Sequence, residues 1–212
     1  MRLTESQSNA LIWRLLEYTA RPGILSTLLE ALAPYNYALI GGGAVSLYSG
    51  GQRRVSRNDI DLLVDSHEAS ALKDLMKSHG FKFLRENVFD GKTWLVFLYG
   101  DAEPSEDQEV DLALALDPLA KIGVKEARKF PYQGREIKVA PPEVIIAMKI
   151  IAGREKDHRD ILYLMKAITE DPSFSEKKAR SLVQKYAPSR IEEYEQLLGD
   201  SEMFDYELLN RM

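Results

Sequence analysis

Two aspartates one residue apart, Asp59 and Asp61, open the apolar run Asp59-Ile60-Asp61-Leu62-Leu63-Val64. On a strand that spacing places both carboxylates on one face, roughly 6–7 Å apart at their α-carbons, with Ile60, Leu62 and Val64 on the other. Like charges on one face repel, so solvent or a cation must offset them. Mg2+ accepts one or two carboxylates together with phosphate oxygens and water. Two such ions can clamp the attacking and leaving oxygens of an in-line substitution at phosphorus. A solvated strand end is the other reading of an Asp-x-Asp pair. A further acid lies in the alternating stretch 109–116. Val110, Leu112, Leu114 and Leu116 make one face, and Glu109, Asp111, Ala113 and Ala115 the other. The two alanines after Asp111 either leave room for a ligand or fit beneath a covering helix. Asp111 is the candidate third carboxylate, on a strand beside the first; Glu109 lies nearer an acidic loop.

Gly41, Gly42 and Gly43 sit where an apolar strand should turn into a helix. Without β-carbons the backbone can turn tightly, and a phosphate can approach the amides of a helix start. The spacing is neither G-x-G-x-x-G nor a P-loop, and plain turn chemistry is the alternative. Farther on, Pro141 or Pro142 opens a helix with Glu143 in its first turn. Ile145, Ile146, Ile150 and Ile151 make that helix strongly apolar, with Lys149 among them. Lys149 either snorkels to solvent or serves a polar site. In one continuous helix Lys156 and Asp160 would share its face; Gly153 would instead split the segment in two. Either way a lysine and an aspartate can converge.

The elements that must position these groups follow from periodicity and breakers. Helices are predicted over 5–19 and 24–33, a strand over 37–41, a helix over 43–50, a strand over 59–64 and a helix over 67–80. Strands over 81–86 and 93–100 are joined by a turn at 89–92, and a strand over 106–116 follows. A hairpin over 129–140 turns at Gln133-Gly134, and helices cover 142–152, 157–169, 175–186 and 189–198. The expected fold class is α+β: a small mixed β-sheet with flanking helices, then a helical C-terminal part. The expected divisions are N-terminal helices (1–36), a core (37–140) and a helical region (141–212).

A chain of 212 residues, 45% of them hydrophobic, can bury a sizeable core. Its net charge of -5 spreads no global basic field. The chain contains no cysteine, which excludes disulfides, thiolate metal sites and a cysteine nucleophile. His67, His79 and His158 are too scattered for a zinc site. No signal-peptide pattern and no run near ~18 apolar residues occurs, so the expectation is a cytoplasmic protein with no membrane partner.

The order of apolar strand, Gly41-Gly42, helix, Arg54-x-Ser56, Asp59-Ile60-Asp61 and a later Asp111 strand resembles the nucleotidyltransferase superfamily of the DNA-polymerase-β type. The 16 residues between Gly42 and Asp59 exceed the usual interval, with the extra length in 48–54. The later pattern Pro142-Glu143, Lys149, Arg154-Glu155-Lys156-Asp157 and Asp160 resembles the AbiEii-type nucleotidyltransferase toxin family and its uncharacterised relatives. The likeness spans about residues 37–165. It implies a nucleotidyltransferase-like fold and an enzyme that moves an NMP from an NTP such as ATP to an acceptor hydroxyl. The implied cofactor is Mg2+ or Mn2+, held by Asp59, Asp61 and Asp111, with Asp111 also taking the acceptor proton. Lys149 would meet phosphates or the transition state, and Asp160 would complete the site. Gly41, Gly42, Arg54 and Ser56 would bind the nucleotide, and Arg53 and Arg57 would be surface or phosphate-steering residues. Implied partners are the nucleoside triphosphate, an acceptor (tRNA or other RNA, protein or a small molecule) and a cognate antitoxin. Residues 121–159 hold ten Lys/Arg against five Asp/Glu; RNA or a solvated surface accounts for that stretch. The alternative is a non-catalytic binding module, or a toxin-antitoxin component, on the same scaffold. A metal-dependent nuclease finds no support in the glycine turn.

Overall fold

The computed structural model describes residues 24–53, 59–89, 91–99, 109–132, 134–169 and 174–203. The predicted helix over 5–19 lies outside them, as do Arg54, Ser56 and Arg57. Seven strands form one mixed sheet: β1 (Tyr37–Leu39), β2 (Ile60–Val64), β3 (Phe81–Phe89), β4 (Lys92–Tyr99), β5 (Glu109–Leu114), β6 (Arg128–Tyr132) and β7 (Arg135–Val139), in the spatial order β3-β4-β5-β2-β1-β7-β6. The pairs β2–β5 and β1–β7 are parallel and the rest antiparallel. The helices are α1 (Ile24–Ala31), α2 (Gly41–Tyr48), α3 (Ala69–Ser78), α4 (Pro118–Lys125), α5 (Pro142–Ala152), α6 (Glu155–Ile168), α7 (Glu176–Tyr186) and α8 (Ile191–Met203). This is the α+β architecture expected from the sequence.

The central strands β1, β2 and β5 are short and lie under helices, so both their faces are largely apolar. Leu39, Leu62, Leu63, Val64, Leu112 and Leu114 belong to one continuous core with Val144, Ile145 and Ile146 of α5. Ala113 and Ala115 are fully buried, and Leu116, expected in the core, is 41% exposed. The strand therefore runs from the solvent side into a helix-covered interior. Its alternation fails at Leu116 because β5 ends at Leu114 and the chain turns into α4.

Helix α4 is absent from the sequence-based assignment. Its start is nonetheless written in the chain: Asp117 accepts a hydrogen bond from the Ala120 amide at 2.9 Å, and Pro118 occupies the first turn. Only eight residues with one charged turn gave too short a periodic signal. Helix α5 ends at Gly153, whose left-handed backbone (φ +59°) breaks the segment. The continuous-helix alternative is thereby excluded, and α6 starts afresh at Glu155. Helix α2 packs on α5 and α6, which brings the glycine turn and the second polar segment to the same place.

Gly123 is where α4 meets the sheet. A β-carbon there would lie 3.0 Å from Leu63 and 3.3 Å from Val144. Gly123→Val is expected to cost about 1–3 kcal/mol by overpacking this junction, read as a lower urea midpoint at unchanged slope. An unchanged midpoint would show that α4 does not press on β2 and α5.

Candidate active site

The parallel pairing of β2 and β5 sets Asp61 directly beside Asp111. Adjacent strands lie about 4.8 Å apart, so the two carboxylates share one face of the sheet. Asp59, in the residue just before β2, joins them on that side. Burial raises the Asp61 pKa to about 6, helped by the charge of Asp59, while Lys149, Lys156 and Arg154 pull the other way. Burial likewise raises Asp111 to about 7, with Asp61, Glu109 and Asp59 adding to it and Arg85 opposing. Asp111 Oδ1 is buried and has no hydrogen-bond partner among the described residues. Sequence spacing alone could not pair Asp111 with Asp61, because register between strands fifty residues apart depends on packing.

The glycine turn closes on the same carboxylates. Gly41 begins α2 with φ +64°, and a β-carbon on it would fall 1.9 Å from Asp61 Oδ2. Both the backbone angle and the contact require glycine there. Ile40 at the N-cap has no side-chain oxygen to cap the helix, so the first amides of α2 face the site unserved by a cap.

Opposite stands a chain of alternating charges. Lys149 Nζ donates to Asp160 Oδ2 at 2.6 Å and to Asp157 Oδ1 at 3.0 Å. Arg53 Nε donates to Asp160 Oδ1 at 2.7 Å, and Arg154 Nε to Asp157 Oδ2 at 2.6 Å. Burial pushes the Asp157 pKa up, but the Arg154 hydrogen bond and the nearby Lys149 charge outweigh it and hold it low. The alternation runs Arg154, Asp157, Lys149, Asp160, Arg53, and the charges of Lys149, Lys156 and Arg154 reach Asp61. Lys149 is thus a buried ion-pair partner at the site, and the snorkelling alternative is ruled out. Asp157 is a participant that the sequence analysis did not single out, although its place in Arg154-Glu155-Lys156-Asp157 was in view.

Of the two expectations for Arg53, a surface or a phosphate-steering residue, the first is corrected: its side chain is 16% exposed and its guanidinium lies 3.4 Å from where a Gly42 β-carbon would be. The long interval before Asp59 explains this. The chain after α2 turns back at Gly50-Gly51, Ser46 Oγ donates to the Arg53 carbonyl at 2.6 Å, and the Arg53 amide donates to Ser49 Oγ at 3.1 Å. The extra loop is the device that carries Arg53 to Asp160.

These groups line a cavity of about 600 Å³, together with Ile145, Met148 and Ala152 of α5 and the β3–β4 residues Arg85, Asn87, Phe89, Lys92, Trp94 and Val96. That volume suits a nucleotide-sized ligand. Lys156 lines it and is exposed. A hard divalent cation fits the donor set: carboxylate oxygens, one of them buried and unpartnered, beside free helix-start amides. Among the described residues no group of three or more acidic or imidazole side chains is arranged as a ready-made metal site. Within the basic stretch 121–159, Arg128, Lys129, Arg135, Lys149 and Arg154 are in ion pairs.

No protein-family model matches the chain, and no curated protein matches it. Among solved structures, the solution structure of the antibiotic-resistance factor ANT(2'')-Ia aligns with a TM-score of 0.51 at 17% identity, covering 81% of this chain and 93% of that one. An antigenic nucleotidyltransferase-like protein from Paracoccidioides brasiliensis aligns at 0.48 and 20% identity, over 92% of this chain and 94% of that one. The lincomycin-bound lincosamide antibiotic adenylyltransferase LnuA aligns at 0.48 and 19% identity, over 69% and 97%. The class defined is a nucleotidyltransferase-like fold. Among the described residues no helix is long and apolar enough to cross a membrane.

Gly41→Ala is expected to displace the Asp61 carboxylate and lower thermal stability by roughly 1–3 kcal/mol; a variant as stable as the parent would remove the steric requirement. The carboxylates also set a pH dependence. Unfolded aspartate titrates near 3.9, whereas Asp61 and Asp111 hold protons up to about 6 and about 7. Their favourable contribution is therefore complete below about pH 4 and lost as pH rises through those values. Asp111→Asn should raise the melting temperature at pH 8, by roughly 2–4 °C for each kcal/mol of repulsion relieved, with no gain at pH 4. Calorimetry at both pH values checks this, and a lower melting temperature at pH 8 contradicts it.

Proposed function

We propose that the chain is a Mg2+-dependent nucleotidyltransferase that moves an NMP from an NTP to an acceptor hydroxyl. The observation that carries this reading is the in-register pair Asp61–Asp111, facing a cavity that also holds the helix-start glycines and the buried Lys149, with Arg53, Arg154 and Lys156 along its lining. The nucleotidyltransferase-like fold supports it. The Pro142-Glu143 to Asp160 pattern, with Lys149, Asp157 and Asp160 converging, supports placing the chain with the AbiEii-type toxins; a cognate antitoxin belongs to that reading.

Asp59, Asp61 and Asp111 are the residues that would hold Mg2+ or Mn2+. When bound, the ion supplies positive charge against the triphosphate and the leaving pyrophosphate. The amides of Gly41, Gly42 and Gly43 receive phosphate oxygens at the start of α2. Lys149 commits two of its three ammonium protons to Asp157 and Asp160. Its third donor and its fixed charge offset the departing pyrophosphate. Arg53, tied to Asp160, extends that row of charges beside Gly42. The acceptor oxygen bonds to the α-phosphorus as the bond to the bridging oxygen breaks, and pyrophosphate leaves with that electron pair. The acceptor's proton passes to the Asp111 carboxylate, which lies beside Asp61 on the cavity face of the sheet. Catalysis rests on positioning and electrostatics.

The test incubates wild type and Asp61→Asn with each labelled NTP, Mg2+ and a cell extract, then fractionates labelled RNA, protein and small molecules. Wild type should label one fraction, and both Asp61→Asn and EDTA should reduce labelling at least ~100-fold. Mg2+-dependent nucleotide binding with no labelling of any fraction would leave the non-catalytic scaffold as the better account.

A further inference from the structure

The sheet does not stop at Asp111. Its register continues the carboxylate row across two more strands: Asp61 pairs with Asp111, Asp111 with Val96, and Val96 with Arg85. The next row on this face runs Ala113, Trp94, Asn87, and the last sets Lys92 beside Phe89 at the hairpin turn. Arg85, Asn87, Phe89, Lys92 and Trp94 all line the cavity. They form its floor on the side of Asp111 away from the glycine turn, and the described mechanism leaves them unused.

We propose that this β3–β4 floor is the acceptor subsite, and that it takes a nucleotide unit carrying a free hydroxyl. The proposal rests on the nucleotidyl-transfer reading above. If the triphosphate lies at Gly41–Gly43 and Asp111 takes the proton, the attacking hydroxyl must reach Asp111 from the opposite side, because displacement at phosphorus is in line. That side is the floor.

The chemistry of the floor selects among acceptors. Phe89 is 48% exposed, unusual for a phenylalanine beside a cavity, and the Arg154 guanidinium lies 5.8 Å from its ring centre. An aromatic face under an arginine is a stacking position for a flat base. Trp94 has an indole N–H that is buried and has no hydrogen-bond partner among the described residues, and Asn87 is an exposed amide able to meet a base edge. Arg85 and Lys92 bring positive charge for a phosphate. Their partners Glu109 and Asp117 do not line the cavity. Among the described residues Asp111 is the only carboxylate of β5 that lines the cavity, and Glu109, on the same face, is engaged by Arg85 through two hydrogen bonds.

The chain has two tryptophans, Trp13 and Trp94, so a Trp13→Phe background leaves Trp94 as the sole reporter. The protein is first saturated with α,β-methylene-ATP and Mg2+, with binding followed by calorimetry. AMP, a trinucleotide with free terminal hydroxyls, and tobramycin are then titrated separately while Trp94 fluorescence is read. Saturable quenching by AMP and the trinucleotide is expected, and Phe89→Ala and Arg85→Gln should each weaken it about tenfold or more. A trinucleotide much tighter than AMP marks the end of a strand as the source of the nucleotide unit; equal affinity marks the free nucleotide. Normal methylene-ATP binding with no nucleotide quenching, or quenching by tobramycin instead, overturns the subsite and leaves the transfer reading standing. Absence of methylene-ATP binding itself counts against the transfer reading.

Discussion

The mutual repulsion of Asp61 and Asp111 organises this molecule. Parallel pairing of β2 and β5 holds two carboxylates about one strand spacing apart on a half-buried face, and burial raises the proton affinity of both. Nothing in folding rewards that arrangement by itself. The surroundings make sense as responses to it. Gly41 has no β-carbon, so the backbone can lie against the Asp61 carboxylate. Lys149, Arg53 and Arg154 sit opposite, joined through Asp157 and Asp160. The buried oxygen of Asp111 meets no donor among the described residues.

That row of charges depends on the C-terminal helices. Lys149 lies in the last turn of α5, while Asp157 and Asp160 belong to α6 beyond the Gly153 break. Burying that many charges is costly unless each is paired with good geometry, and the alternation Arg154, Asp157, Lys149, Asp160, Arg53 supplies the pairing. The same network fastens the helical part to the loop that follows α2. Cavity and tertiary connection are therefore one structure, and a change at Asp160 reaches both the Lys149 charge and the position of Arg53.

The order of elements from β1 through α8 was largely legible in the chain, because each is specified by local signals: Pro142 opening α5, Gly153 ending it, alternation through β5. The exceptions are physical. Helix α4 is too short for its period to stand out, although Asp117-Pro118 marks its start. Leu116 breaks its alternation because the chain leaves the sheet there. At the site, the glycines, Asp59, Asp61, Asp111, Lys149 and Asp160 could be chosen by type and spacing. Arg53 could not, since its approach to Asp160 depends on Ser46 and Ser49 folding the loop back.

By itself the sequence determined which residues carry charge on otherwise apolar elements and where the chain must turn. Those properties follow from side-chain period, from proline and from the freedom of glycine, all acting over a few residues. Only the tertiary structure decided the register that sets Asp61 beside Asp111 and continues their row to Arg85. It also decided the pairing of Arg53 with Asp160 across 107 residues. Contacts over such separations are selected by core packing and by the cost of leaving a buried charge unpaired. Neither is a property of any short stretch of chain.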